Sequence, residues 1–266
     1  MNNISDKEFS QFQRFIFELA GISLSPAKKP LVCGRLGKRL RFHNISSYAE
    51  YFDLLKSGRQ PDEVQIAVDL LTTNETYMFR ESKHFDLLRR LATDARASGR
   101  SFRVWSAACS SGEEPYSIAM VLADCLPERN WDILGSDIST RMLARARVGL
   151  YPMERARDVS QDYLRRFCLK GTGEHEGCLL ICRELRERVS FQQINLNEPL
   201  PQLGSFDVIF LRNVMIYFNT ETKRQIVERA SSLLRPGGYF LIGHSESLNG
   251  VTDVLISKAP AVYMKP

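Results

Sequence analysis

Several familiar signatures are missing from this 266-residue chain. Its six cysteines (33, 109, 125, 168, 178 and 182) form no CxxC pair, and the four histidines add no spacing typical of zinc. Cys178 and Cys182 would lie too far apart on one strand to bond each other, so reduced thiols and no metal are expected. No apolar run is long enough to span a bilayer. The opening MNNISDKEFSQF has neither the basic nor the apolar stretch of a secretory signal, which points to a soluble, cytoplasmic protein. No repeat or low-complexity segment stands out. GxGxxG is absent, which argues against a dinucleotide-dependent oxidoreductase.

What the chain does contain is organised around Phe102 to Met120, FRVWSAACSSGEEPYSIAM. A β-prone run leads through small residues into Glu113-Glu114-Pro115, which opens an amphipathic helix. Strand, small-residue turn and helix form the first unit of a nucleotide-binding α/β sheet. The acidic helix start disfavours a pyrophosphate there. It suits a cationic, hydroxyl-bearing ligand, and S-adenosylmethionine has a ribose, an ammonium and a sulfonium but no phosphate. A tight turn with a solvated acidic cap is the other reading.

Before this unit, residues 1–72 read as an all-helical domain. Ser5 and Glu8 have capping-box spacing, followed by the stripe Phe9, Phe12, Ile16 and Leu19. Helices are expected from Pro30, from Ser47 and from Pro61. No acidic residue occurs between Glu18 and Glu50, and Arg35, Lys38 and Arg39 share a helical face, so a cationic ridge is expected. Residues 73–88 form a linker crowded with Asn74, Thr76, Tyr77 and Arg80, a composition that favours function over mere connection.

Within 89–266, Asp137 ends a second strand about 25 residues after Gly112, where an acidic side chain can accept both ribose hydroxyls. It can equally N-cap the next helix. Cys178–Cys182 and Arg188–Ile194 read as an antiparallel hairpin of an inserted β subdomain spanning about 165–193. Phe206–Leu211 is a buried strand that delivers Arg212, Asn213 and Tyr217 to its carboxyl end. Leu233-Leu-Arg-Pro-Gly-Gly238 reads as a tight turn into a strand at Tyr239–Ile242.

Seven stretches together carry a likeness to one family: TTNETYMFRE (72–81), SAACSSGEEPYS (106–117), GSDIS (135–139), INLNEP (194–199), FLRNVMIYF (210–218), LLRPGGYFLIGHSE (233–246) and VYMK (262–265). The chain resembles the CheR-type chemotaxis receptor methyltransferases along nearly its whole length. Departures are mild: Leu211 stands where a small or polar residue is usual, and Tyr77-Met78 replaces a pair containing Phe. The resemblance implies an α/β fold: a Rossmann-like class I methyltransferase sheet with a small inserted antiparallel β subdomain, plus the helical domain. It implies methyl transfer from S-adenosylmethionine to glutamate carboxylates of chemoreceptors. Cofactor contacts would fall on Asn74, Thr76, Arg80, Glu114, Asp137, Asn195, Leu196, Arg212 and Asn213, with Arg80 and Tyr217 also facing the substrate. The basic helix would approach the receptor's cytoplasmic domain, and the β subdomain would grip a C-terminal receptor peptide, with no nucleic acid, no membrane insertion and a monomeric enzyme.

Two other functions compete. An RNA methyltransferase would use the ridge for phosphates, but residues 213–217 lack the prolines of an Asn-Pro-Pro-Tyr pocket. A cofactor-binding scaffold without activity would have no need of Arg80, Asp137 and Tyr217.

Overall fold

Ser5 starts the first helix as the sequence predicts. Its hydroxyl accepts from the Glu8 amide at 3.3 Å while the Glu8 carboxylate takes the Ser5 amide at 2.8 Å, closing the capping box before α1 (Asp6–Ala20). The computed structural model describes residues 3–126 and 130–266. Pro30 sits in the first turn of α2 (Lys29–Phe42), Ser47 caps α3 (Tyr48–Lys56), and Pro61 opens α4 (Pro61–Leu71). Phe12 is fully buried, with the rings of Tyr48, Tyr51 and Phe52 5.5–6.4 Å from its own.

The cationic ridge does not survive folding. Arg39 turns inward and donates from Nε to the buried Glu63 at 2.8 Å; the Tyr51 hydroxyl donates to the same carboxylate at 2.6 Å. Arg35 donates to the carbonyls of Leu70 and Thr72, fastening the exit of α4. Of the three residues only Lys38 is exposed. Helical periodicity placed them on one face, but the buried acid that recruits Arg39 lies two helices away.

The second part runs α5 (Lys83–Ala97), β1 (Phe102–Ser106), α6 (Glu113–Cys125), β2 (Trp131–Asp137), α7 (Thr140–Val148), β3 (Leu150–Pro152), α8 (Gln161–Phe167), β4 (Cys168–Lys170), β5 (Cys178–Ile181), α9 (Arg183–Arg186), β6 (Val189–Gln193), β7 (Phe206–Leu211), α10 (Thr220–Ser232), β8 (Leu234–Ile242), β9 (Ile256–Ala259) and β10 (Val262–Met264). One seven-stranded sheet has the order β6-β2-β1-β7-β8-β10-β9. Neighbours from β6 to β8 are parallel, and β10 runs antiparallel to both β8 and β9. All six residues of β7 are buried, as a strand covered on both faces must be. The strand order reverses between β1 and β7, which opens a crevice at their carboxyl ends.

The small sheet has the order β3-β5-β4, all antiparallel. The expected hairpin of 178–182 with 188–194 is not formed. Residues 189–193 instead pair in parallel with β2 at the edge of the main sheet, and the subdomain recruits Leu150–Pro152. The short α9 separates β5 from β6 and turns the chain back to the main sheet. Likewise β8 begins at Leu234, through the Pro-Gly-Gly, with a register shift where it meets β7. Among the described residues, no helix is long and apolar enough to cross a membrane.

Burial raises the Glu63 pKa, but hydrogen bonds from Arg39, Tyr51 and His43 outweigh it and hold the carboxyl at about 2 against an ordinary 4.5. The stabilisation is therefore complete above pH 4.5 and is lost as pH falls toward 2. Glu63→Gln is expected to cost about 3 kcal/mol at neutral pH and to flatten stability against pH over that window. Urea titrations at several pH values would expose the claim if the two proteins had parallel profiles.

Candidate active site

The crevice opens into a cavity of about 420 Å³, a size suited to a small-molecule ligand. Its floor is the turn after β1. The Ala107 amide donates to the Phe210 carbonyl and the Cys109 amide to the Ser136 carbonyl, both at 2.8 Å, so β7 and β2 hold the turn from either side. Gly112 closes it at φ 95°, where a Cβ would lie 2.8 Å from both Ala146 Cβ and the Tyr151 hydroxyl. Ala107, Ala108, Cys109 and Ser110 line the cavity with little side-chain bulk. Burial pushes the Cys109 thiol well above its ordinary pKa, so it is no nucleophile.

Asp137 stands at the end of β2, nine-tenths buried. One carboxylate oxygen accepts from the Ser110 amide at 2.8 Å and the other from the Ser139 amide at 2.9 Å. The cap of α7 is Ser139, whose hydroxyl accepts from the Met142 amide, so the capping reading of Asp137 falls. Burial raises the Asp137 pKa against the pull of the two amides. Each oxygen keeps acceptor capacity for a ligand hydroxyl.

Arg212 leaves β7 with its side chain 2% exposed and donates to Glu114 at 2.7 Å and to Glu81 at 2.8 Å. It also donates to the Arg80 carbonyl. Glu114 takes the Ser106 hydroxyl on its other oxygen at 2.7 Å. Glu81 takes the Asn213 amide nitrogen and the His244 backbone N–H, both at 3.2 Å. Burial would raise the Glu81 pKa, but Arg212 and Asn213 prevail and hold it at about 2. His84, buried beside this group, is pushed down to about 4 by burial and by Arg212. Phe79 and Glu81 adopt φ of 58° and 60° on either side of Arg80, a costly conformation fixed by these bonds. Arg80 itself donates to the Glu75 carbonyl at 3.0 Å, and its guanidinium lies 5.9 Å from the Tyr77 ring centre.

All ten residues singled out from the sequence border this one cavity: Asn74, Thr76 and Arg80 from the linker, Glu114 from the start of α6, Asp137 from the end of β2, Asn195 and Leu196 after β6, and Arg212, Asn213 and Tyr217 after β7. Their freedom differs. The Asn195 side chain donates to the Leu19 carbonyl at 2.6 Å and to Glu198 at 3.0 Å, and its oxygen accepts the Asn197 amide. With both side-chain donors occupied, it has no side-chain N–H left to offer a ligand. Arg212 is likewise bonded through all three nitrogens.

Some of the machinery had no signal in spacing. Glu81 is one part. Glu246 is another, accepting the amides of Asn213 at 2.9 Å and Gly243 at 2.6 Å, so that it fixes the loop bearing Tyr217. A Cβ at Gly243 would sit 2.4 Å from Asn213 Nδ2 and 2.9 Å from Glu246 Oε2, so any side chain there must displace both. The helical domain also contributes a wall through Ala20, Ile22, Ser23, Leu24 and Lys28. It is joined to the Tyr217 loop by a bridge between Ile22 and Phe218 and by the Ser23 amide donating to the Tyr217 carbonyl at 2.7 Å. Lys28, Arg80 and Arg212 formally balance Glu75, Glu114 and Asp137 around the cavity, a lining without the cationic excess a polyphosphate needs.

Two family descriptions match nearly the whole chain: "CheR methyltransferase, all-alpha domain" over residues 7–72 and "CheR methyltransferase, SAM binding domain" over residues 74–263. The chain is 44% identical over 260 residues to chemotaxis protein methyltransferase 2 of Pseudomonas aeruginosa, covering 97% of this chain and 92% of that protein. It is 41% identical over 264 residues to the chemotaxis protein methyltransferase of Escherichia coli, covering 98% and 91%. With the counterpart of Salmonella typhimurium the figures are 40% over 264 residues, 98% and 90%.

Replacing Arg212 by alanine would leave Glu81 and Glu114 buried without their shared cation. A loss of about 3–5 kcal/mol is expected, read as a lower urea midpoint with unchanged slope. A midpoint within error of wild type would refute the central role of this ion pair.

Proposed function

The chain belongs to the CheR methyltransferase family, and on that premise we propose that its cavity brings S-adenosylmethionine against a glutamate side chain of a chemoreceptor, leaving a glutamate 5-O-methyl ester. It is an S-adenosylmethionine-dependent methyltransferase that acts on chemoreceptors. The RNA alternative loses its ground, since the relatives are chemotaxis proteins and the ridge meant for phosphates is largely folded inward. The observation that carries the reading is the buried Asp137, its two oxygens held by the Ser110 and Ser139 amides, beside a floor of Ala107, Ala108, Cys109 and Ser110.

In this reading Asp137 accepts the ribose hydroxyls, and Ala107 and Ala108 let the ligand lie against the backbone. When bound, S-adenosylmethionine supplies an electrophilic methyl on a sulfonium whose departure as a neutral thioether needs no acid. A glutamate acceptor with an ordinary pKa of about 4.3 is already ionised at neutral pH and needs no base. The protein's task is therefore position, worth roughly 7–11 kcal/mol for a well-held pair. Arg80 offers a planar fork to the incoming carboxylate. Tyr217, held by the helical domain through its carbonyl, donates to the second oxygen or lines the methyl's path. Asn74, Thr76, Leu196 and the backbone of Asn195 complete the cofactor's surroundings.

Lys38, Lys28 and Arg41, all exposed, keep the helical domain cationic for an acidic receptor surface. The small sheet offers the edges of β3 and β4 to a receptor peptide. The protein would work as a cytoplasmic monomer.

Purified protein incubated with methyl-labelled S-adenosylmethionine and receptor-containing membranes should yield label that alkali releases as methanol; alkali-stable label would rule out an ester. Arg80→Ala is expected to lower kcat/KM by about a hundredfold or more with the unfolding midpoint little changed. A loss of stability in step with activity would contradict a positioning role. Asp137→Ala should weaken cofactor binding roughly 10- to 100-fold, and calorimetry returning the wild-type affinity would exclude the ribose contact.

A further inference from the structure

Beside the active-site ion pair, and sharing Glu81 with it, lie two histidines that the reaction does not use. His84 is 2% exposed and neither of its ring nitrogens has a hydrogen-bond partner. Buried polar atoms are almost always satisfied, and an orphaned pair on one ring needs an explanation, of which a bound ion is one. Its Nδ1 lies 3.6 Å from Glu81 Oε2. His244 Nε2, brought in from the end of β8, lies 3.9 Å from the same oxygen. The two rings meet edge to face at 5.1 Å, and the three ligand atoms all fall within 4.8 Å of one another.

We propose that Glu81, His84 and His244 form a binding site for a divalent transition-metal ion of the zinc class. Two imidazoles and a carboxylate are a sufficient protein ligand set for zinc with a fourth position left open. Bonds of about 2.0–2.2 Å draw tetrahedral ligand atoms to roughly 3.3–3.6 Å apart. The contraction falls to His244, whose side chain is 48% exposed and free to swing. Both histidines line a groove of about 720 Å³, through which an ion can reach them. Lys83, Arg90 and Lys258 also line it against the one acid Asp94, so the net charge of the groove opposes a cation. The site therefore selects ions that gain from imidazole over calcium and magnesium, which seek oxygen.

The ion would share Glu81 Oε2 with Arg212, which donates to it at 2.8 Å and also holds the Arg80 carbonyl. Occupancy weakens that hold and slows methyl transfer. This consequence rests on the function proposed above; the binding itself does not.

The test is titration of the full-length protein with zinc by calorimetry and with cobalt(II) by visible spectroscopy, which separates imidazole and carboxylate ligands from the chain's thiols. Wild type should take up one cobalt without thiolate bands, and His244→Ala should bind at least tenfold more weakly. Equal affinity in both proteins, thiolate-only binding, or no uptake would overturn the site. His84→Gln alters a buried residue, so the exposed His244 carries the decision. Zinc should slow methyl transfer by wild type, while His244→Ala keeps the basal rate and resists zinc. Intact binding with unaffected transfer would leave the site standing and remove its link to Arg212.

Discussion

Arg212 sits between Glu81 and Glu114 with almost no contact with water. A guanidinium in that position is tolerable only because two carboxylates and a carbonyl saturate it. The arrangement joins three distant pieces of chain: the linker at 80–81, the start of α6 and the end of β7. Without it the linker would have no reason to hold Phe79 and Glu81 at positive φ. Arg80, between them, would then have no fixed direction. The geometry of the proposed chemistry thus depends on an ion pair that need not touch either reactant.

The helical domain is likewise more than an attachment. Its last α1 residue and the segment that follows form a wall of the cavity, and the Ser23 amide holds the carbonyl of Tyr217. Asn195 bonds back to the Leu19 carbonyl, closing the opposite side. A sheet of this kind leaves its crevice open at the strand ends. Here the crevice is roofed by a separate domain, which lets a reaction that relies on orientation proceed in a confined space.

The same economy of groups limits what several polar side chains lining the cavity have left to offer a ligand. Asn195, Asn213 and Arg212 all carry hydrogen bonds that shape the walls. Asp137 and Arg80 differ, the first because two amides leave lone pairs over, the second because a single carbonyl engages its guanidinium. They are the side chains on which the proposed binding and catalysis rest.

Much of this was legible in the sequence. The capping box at Ser5 and Glu8, the prolines that open α2 and α4, the small-residue turn after β1 and the polar residues following buried strands are local signals, and local backbone preference decides them. Residues placed at strand ends were bound to converge, because a parallel sheet gathers its carboxyl ends on one side. Periodicity could assign Arg35 and Arg39 to a face, but only packing brought Glu63 and the end of α4 to meet them. The alternating segment Val189-Ser-Phe-Gln-Gln193 fits a hairpin or a parallel edge equally well, and the choice followed from β2 needing a partner. Glu81, Glu246 and the pairing of His84 with His244 lie beyond any spacing rule, since each meets a partner from a separate element that only the folded sheet brings close. The sequence determined the elements and the strand ends at which the site is built; the tertiary structure decided which charges were consumed holding it together and which stayed free to act.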